Sequence, residues 1–185
     1  MSKILTQARQ YLGQKEVPGA GSNPFIERVW LALPGGKWFW DNAQKDDGQV
    51  PWCGAFCAYL CKELGLDFPT RYASARSWAD WGVPAGVAEY GSVAVLVRNG
   101  GGHVAIVTGA SPDGKHVRLL GGNQGDAVCE SWFPTDRVIA YRKQPDEQLA
   151  AAPVAAASAP VAPVALPAEP SPLLAEATWL KELFN

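Results

Sequence analysis

No apolar run in this sequence approaches the roughly 20 residues that a bilayer-spanning helix requires, and residues 1–12 carry a polar side chain at almost every second or third place. A secretory leader would show a continuous apolar block there instead. The expectation is therefore a chain made in the cytoplasm that depends on another agent to reach any site outside it. Charge of one sign is also lacking: 16 Lys and Arg against 18 Asp and Glu give a net charge of −2. That argues against a nucleic-acid binder held by phosphate contacts. Histidine is scarce, with only His103 and His116, so any imidazole chemistry has two candidates. The four cysteines, 53, 57, 61 and 129, do not form two matched zinc-binding pairs, and neither histidine lies near them in sequence. No metal or cofactor is expected. Disulfides between residues four apart on one helix have poor geometry, so Cys57 and Cys61 read as small core hydrophobes. Cys129 could pair with one of them, a prospect made weaker by the absent leader.

What is present is enough apolar material for one real core. The composition is 48% hydrophobic with eight tryptophans in 185 residues, which suits one domain with appendages. Ile4, Leu5, Ala8, Tyr11 and Leu12 follow helical spacing up to Gly13. Ser22-Asn23-Pro24 reads as a cap followed by a first-turn proline, opening a helix to about Leu33 that Pro34-Gly35-Gly36 ends. Asp41, Asp46 and Asp47 occupy a loop that lacks the regular alternation of a calcium site; a solvated acidic turn is expected. A central helix spans about Trp52 to Leu64, with Gly65 after it, and a short one follows at Ser74 to Trp81. After Gly86 the pattern changes to strands at 92–97, 103–109, 116–120, 127–132 and 138–142. Helices first and about five short antiparallel strands afterwards imply an α+β domain, with N-terminal helices packed on a small sheet.

Three segments follow: a domain over 1–143, an Ala/Pro-rich linker over 144–171 and an amphipathic C-terminal helix over 172–185. The linker is too rich in proline to pack as a core. In the final helix Leu173, Ala177, Leu180 and Phe184 form one apolar stripe, which would dock on the domain or grip a protein partner.

The chemistry centres on Val50-Pro51-Trp52-Cys53-Gly54-Ala55. A cysteine in the first turn of a helix meets unpaired backbone N–H groups and the positive end of the helix dipole, which favour a nucleophilic thiolate. Gly54 and Ala55 are small enough to leave the sulfur approachable. The thiol needs a base, and the base needs an orienting partner. His103 opens a strand immediately after Gly100-Gly101-Gly102, whereas His116 sits in a polar turn, so His103 is the preferred base. Asn123, in Gly121-Gly122-Asn123-Gln124-Gly125, would accept a hydrogen bond from the far ring nitrogen. Gln124 would contact substrate or the histidine, and Asp126 is a weaker orienter.

Trp52-Cys53-Gly54-Ala55-Phe56-Cys57, Gly102-His103-Val104-Ala105-Ile106-Val107 and Gly121-Gly122-Asn123-Gln124 together resemble the cysteine, histidine and third-residue boxes of CHAP and NlpC/P60-type peptidoglycan hydrolases. Lys15-Glu16-Val17-Pro18-Gly19 resembles a segment of the phage-type branch. The resemblance spans roughly residues 3–142 and implies a papain-like fold with a Cys53–His103–Asn123 triad. It further implies cleavage of amide bonds in cell-wall peptides, as an endopeptidase or an N-acetylmuramoyl-L-alanine amidase.

Trp52, Gln124, Glu16, Trp38, Trp40 and Trp78 are the candidate substrate-binding residues, the tryptophans as walls of the groove. Peptidoglycan is the expected partner and a monomer the expected state. Action would be at the cell wall or periplasm, after phage-type release or export, and the C-terminal helix would serve a delivery apparatus or an inhibitor. Two other readings use the same residues: a thiol-dependent acyltransferase or protease acting on a protein, and a non-catalytic binding module of the same fold.

Overall fold

The computed structural model describes residues 2–98, 101–145, 149 and 152–154. Four α-helices come first: α1 (Lys3–Arg9), α2 (Pro24–Leu31), α3 (Gly36–Asn42) and α4 (Cys53–Glu63). Six strands follow: β1 (Val83–Pro84), β2 (Val93–Arg98), β3 (Gly101–Ala110), β4 (His116–Gly121), β5 (Cys129–Pro134) and β6 (Val138–Lys143). The fold is α+β, with helices packed on one antiparallel sheet, as the sequence pattern predicts.

Local signals account for several boundaries. The Asn23 side chain accepts the N–H of Phe25 at 2.8 Å, and Pro24 opens α2 where its missing N–H costs nothing. Gly65 after α4 has a φ of 67°, the left-handed geometry of a helix stop. The short element after residue 74 is a 3-10 helix, Ala75–Asp80. Pro34-Gly35-Gly36 does not simply end α2; it is a corner that starts α3. A Cβ on Gly36 would run into the Trp30 carbonyl, so only glycine lets the chain turn this closely. Stacking of Phe39 on Trp30, with centroids 5.1 Å apart, and burial of Trp40 hold a helix of modest local propensity.

The strand order is β1-β6-β2-β3-β4-β5. Strands β2 to β5 form a meander, and β6 returns to pair with β2. In a flat sheet β5 and β6 would lie at least ~19 Å apart, four spacings of about 4.8 Å. Yet only Thr135–Arg137 joins them, and the four Cα steps from Pro134 to Val138 span at most about 14 Å. The sheet must curl, and its two faces build two cores. Val93, Val95, Val104, Ile106 and Leu120 face the helices. Ala94, Leu96, Ala105, Val107, Leu119 and Phe133 form a smaller cluster on the other face. Strands buried on both faces read as continuous apolar runs, which is why 92–97 shows no polar alternation.

Two further pairings tie the ends of the domain to this frame. Residues 13–16 run along the chain after β4: Lys15 bridges Ala127, and the Glu16 N–H donates to Asp126 O at 2.8 Å. Ala152, within the alanine–proline segment, donates its N–H to Ala88 O at 3.0 Å, and Pro153 O accepts from Ala110 at 3.1 Å. The segment expected to be a spacer from residue 144 onward thus contacts the domain at 152–153. The rest of the expected linker beyond residue 154 and the expected helix at 172–185 lie outside the described residues. Among the described residues no helix is long and apolar enough to cross a membrane.

Candidate active site

Cys53 is the first residue of α4, with Trp52 as its N-cap residue. The first bond inside the helix runs from Phe56 N–H to Trp52 O at 2.8 Å, so the N–H groups of residues 53–55 have no carbonyl partner inside the helix. No acidic residue lies in this first turn. Gly54 has a structural reason the sequence hides. A Cβ there would meet the Tyr72 carbonyl and come within 3.1 Å of Ala73 O, so this glycine lets the 72–73 loop close on the helix. It does not simply clear space beside the sulfur. Cys53 retains 5% of its surface, a narrow window rather than open exposure.

All four cysteines are free thiols. One turn beyond Cys53, Cys57 is fully buried, its thiol donating to Val104 O at 3.9 Å. Burial raises the Cys57 thiol well above its ordinary range and Cys61 to about 12, which makes both inert packing groups. The Cys57 contact also lays α4 over β3 at Val104.

His103 is 4% exposed, and its ring stacks on Phe133 with centroids 5.3 Å apart. Its Nε2 lies 2.9 Å from Gln124 Oε1. The orientation of that amide follows from its other end, because Gln124 Nε2 donates to Leu119 O at 3.2 Å and to Cys129 O at 2.6 Å. The atom facing the histidine is therefore the carbonyl oxygen, an acceptor only. The proton of a neutral ring then resides on Nε2, leaving Nδ1 as the basic nitrogen. The backbone supports this placement closely: a Cβ on Gly121 would press on Ala105 Cβ at 2.6 Å and Gln124 Oε1 at 3.0 Å.

Asn123, the first candidate for orienting the histidine, does something else. Its φ of 57° puts it in the left-handed region, which asparagine tolerates, and adjacent side chains of such a turn diverge. Its Nδ2 donates to Glu16 Oε1 at 3.4 Å, while Gln124 takes the position on His103 Nε2. Gln124 is 1% exposed and its amide is engaged at both ends, so it is not a substrate contact. Cys129, which the sequence offered only as a possible disulfide partner, is a free thiol that donates to Gln124 O at 3.0 Å.

The tryptophans also depart from expectation. Trp40, Trp52 and Trp78 are sealed in the core, so they are not groove walls. Trp78 donates its indole N–H to Tyr72 O at 3.0 Å. Of the candidates, only Trp38 is open to solvent, at 44% exposed. Trp52 Nε1 donates to Glu16 Oε1 at 2.6 Å, and its ring lies against Gly122, where a Cβ would come within 2.7 Å of Cε3. Direct contacts thus run from Trp52, beside Cys53, through Glu16 to Asn123, and from Gln124, the next residue, to His103. A cleft of about 520 Å³ opens beside this chain, lined by Glu16, Pro18, Asp46, Gln49 and Asp126 among others.

The acidic stretch before the cysteine is not a uniformly solvated turn. Asp47 is buried and accepts the backbone N–H groups of Asn23 at 2.6 Å and Val17 at 3.3 Å. Burial raises its carboxyl above the usual carboxylate range. Asp46 caps its own turn through Gly48 N–H at 3.0 Å, and Asp41 pairs with Lys37. The three point at different donors. Among the described residues no group of three or more His, Cys, Asp or Glu is arranged to hold a metal ion.

The family model of the CHAP domain matches residues 34–123. That match is consistent with a CHAP/NlpC-P60-type domain. CHAP domains belong to a family of cysteine peptidases and amidases of peptidoglycan, and the α+β architecture here agrees with their papain-like fold. The matched stretch holds Cys53, His103 and Asn123, and leaves Glu16 and Gln124 outside. No curated protein and no solved structure matches the chain.

Proposed function

We propose that this domain hydrolyses amide bonds in the peptide part of peptidoglycan, with Cys53 as nucleophile, His103 as base and acid, and Gln124 as the residue that orients the imidazole. The observation that carries the reading is the 2.9 Å contact of Gln124 Oε1 with His103 Nε2, in an amide whose orientation its other bonds dictate. It supports an imidazole with Nδ1 available to exchange a proton with the thiol. Thiolate Cys53 then adds to the amide carbonyl, and the developing oxyanion meets N–H groups of the first turn of α4. His103 passes the proton to the leaving amine, a thioester forms, and water activated by the same imidazole releases the acid and restores the thiol.

The bond cut is that of an endopeptidase or an N-acetylmuramoyl-L-alanine amidase, and the enzyme acts at the cell wall as a phage-type lysin or a delivered antibacterial one. Peptidoglycan is its partner, and an export apparatus or inhibitor that of the C-terminal segment. The test is digestion of purified peptidoglycan with mass assignment of the new termini. Wild type releases fragments with new amino termini, and Cys53→Ala releases none while keeping its thermal unfolding transition. Undiminished release by Cys53→Ala refutes the mechanism.

A further inference from the structure

One oxygen atom joins the two halves of the site. Glu16 Oε1 accepts from Trp52 Nε1 at 2.6 Å and from Asn123 Nδ2 at 3.4 Å. Trp52 immediately precedes Cys53, and Asn123 immediately precedes Gln124. The carboxylate is itself anchored on both flanks. The Glu16 N–H bonds to Asp126 O, Lys15 bridges Ala127, and the Val17 N–H bonds to buried Asp47. The Trp52 ring is fully buried against Gly122, so it has no room to swing away from its acceptor.

We infer that Glu16 is a positioning residue: it holds the start of the nucleophile's helix in register with the turn that carries the histidine's partner. The inference rests on the reading of Cys53 and Gln124 given above. It assigns Glu16 a role other than substrate contact, although one side of the residue lines the cleft. Sub-ångström placement matters here, because misplacing a reacting group by about 1 Å costs on the order of 100-fold in rate.

The clamp has a charge state that changes near neutrality. Burial raises the Glu16 carboxyl to about 7, against the opposing pull of the Trp52 indole, and Asp126, Asp47 and Asp46 add to the rise. Lys15 lines the same cleft. The ionised form is the stronger acceptor for both donors, so the clamp tightens as pH rises through 7 and loosens below it.

The experiment combines a spectroscopic and a kinetic readout on the full chain. In ¹H–¹⁵N spectra one tryptophan indole resonance should titrate with a midpoint near 7 in the wild type and lose that titration in Glu16→Gln. On purified peptidoglycan, Glu16→Ala should lower kcat by roughly 10- to 100-fold with KM little changed, because only the geometry of the reacting groups is disturbed. Glu16→Gln keeps a carbonyl oxygen within reach of both donors, so it should recover most of kcat and flatten the pH profile around 7. An indole spectrum without that titration, or a Glu16→Ala kcat within about twofold of wild type, overturns the inference. So does an equal loss in the Ala and Gln variants that follows a shared drop in melting temperature. Wild-type protein inactive on peptidoglycan would instead remove the hydrolase reading. The indole titration and the rate of Cys53 alkylation in Glu16→Ala against wild type would then decide the clamp.

Discussion

Gly122 is the point where the turn carrying Asn123 and Gln124 meets the indole beside Cys53, and Gly122→Ala tests that packing. The added methyl would lie 2.7 Å from Trp52 Cε3 and 3.0 Å from Phe56 Cβ, where carbon atoms rest at about 3.5–4.0 Å. Trp52 cannot yield freely, since it is fully buried and its N–H is held by Glu16 at 2.6 Å. If the structure absorbs the strain, overpacking costs about 1–3 kcal/mol. If the ring gives way, a hydrogen bond to a carboxylate weakens, worth about 1.5–3 kcal/mol. Gly122 has no positive φ, so alanine returns about 0.4–1 kcal/mol by restricting the unfolded chain. The net expectation is a loss of roughly 0.5–2.5 kcal/mol, or about 2–10 °C in Tm for a domain of this size.

Denaturant titration measures that loss, and a double-mutant cycle with Trp52→Phe assigns its cause. The smaller ring vacates the space, so Gly122→Ala should cost at least ~1 kcal/mol less in that background. Equal costs in both backgrounds, or a single-mutant loss under about 0.5 kcal/mol, would refute the packing argument.

Two further outcomes follow from buried groups. Asp47→Ala leaves the N–H groups of Val17 and Asn23 without their acceptor and should destabilise the domain by about 2–4 kcal/mol in urea unfolding, with Asp47→Asn losing less; unchanged stability of the alanine variant would contradict the geometry. Because burial raises the Cys57 and Cys61 thiols, the latter to about 12, iodoacetamide at pH 8 should modify neither in the native protein over the time in which Cys53 reacts. Peptide mass mapping reads this directly, and labelling of Cys57 or Cys61 ahead of unfolding would show that face of α4 to be open.

Much of the frame was legible because it depends on near neighbours. Asn23-Pro24 places the start of α2 through a side chain two residues from its donor, and Gly65 stops α4 through its own φ. The β-branched runs give β2 to β6 to within a few residues. The α3 helix was not legible. Its glycine start and aromatic run carry no helical signal, and what holds it is packing on Trp30. The two-residue strand β1 exists only because β6 returns to pair with it.

The site divides in the same way. From the sequence alone came the thiol at a helix start, the histidine opening a strand, the glycine-flanked turn and their order along the chain, since each is a local pattern of residue types. Which of Asn123 and Gln124 reaches the imidazole was decided by the left-handed turn at 123 and by carbonyls at Leu119 and Cys129 that claim the other end of the amide. Which tryptophans are exposed and which are core was decided by the closing of helices on a curled sheet, where the seven tryptophans among the described residues acquire different surroundings. The Glu16 clamp joins residues 36 and 107 positions apart. Contacts at that separation leave no periodicity or spacing in the chain, so only the folded arrangement brings them together.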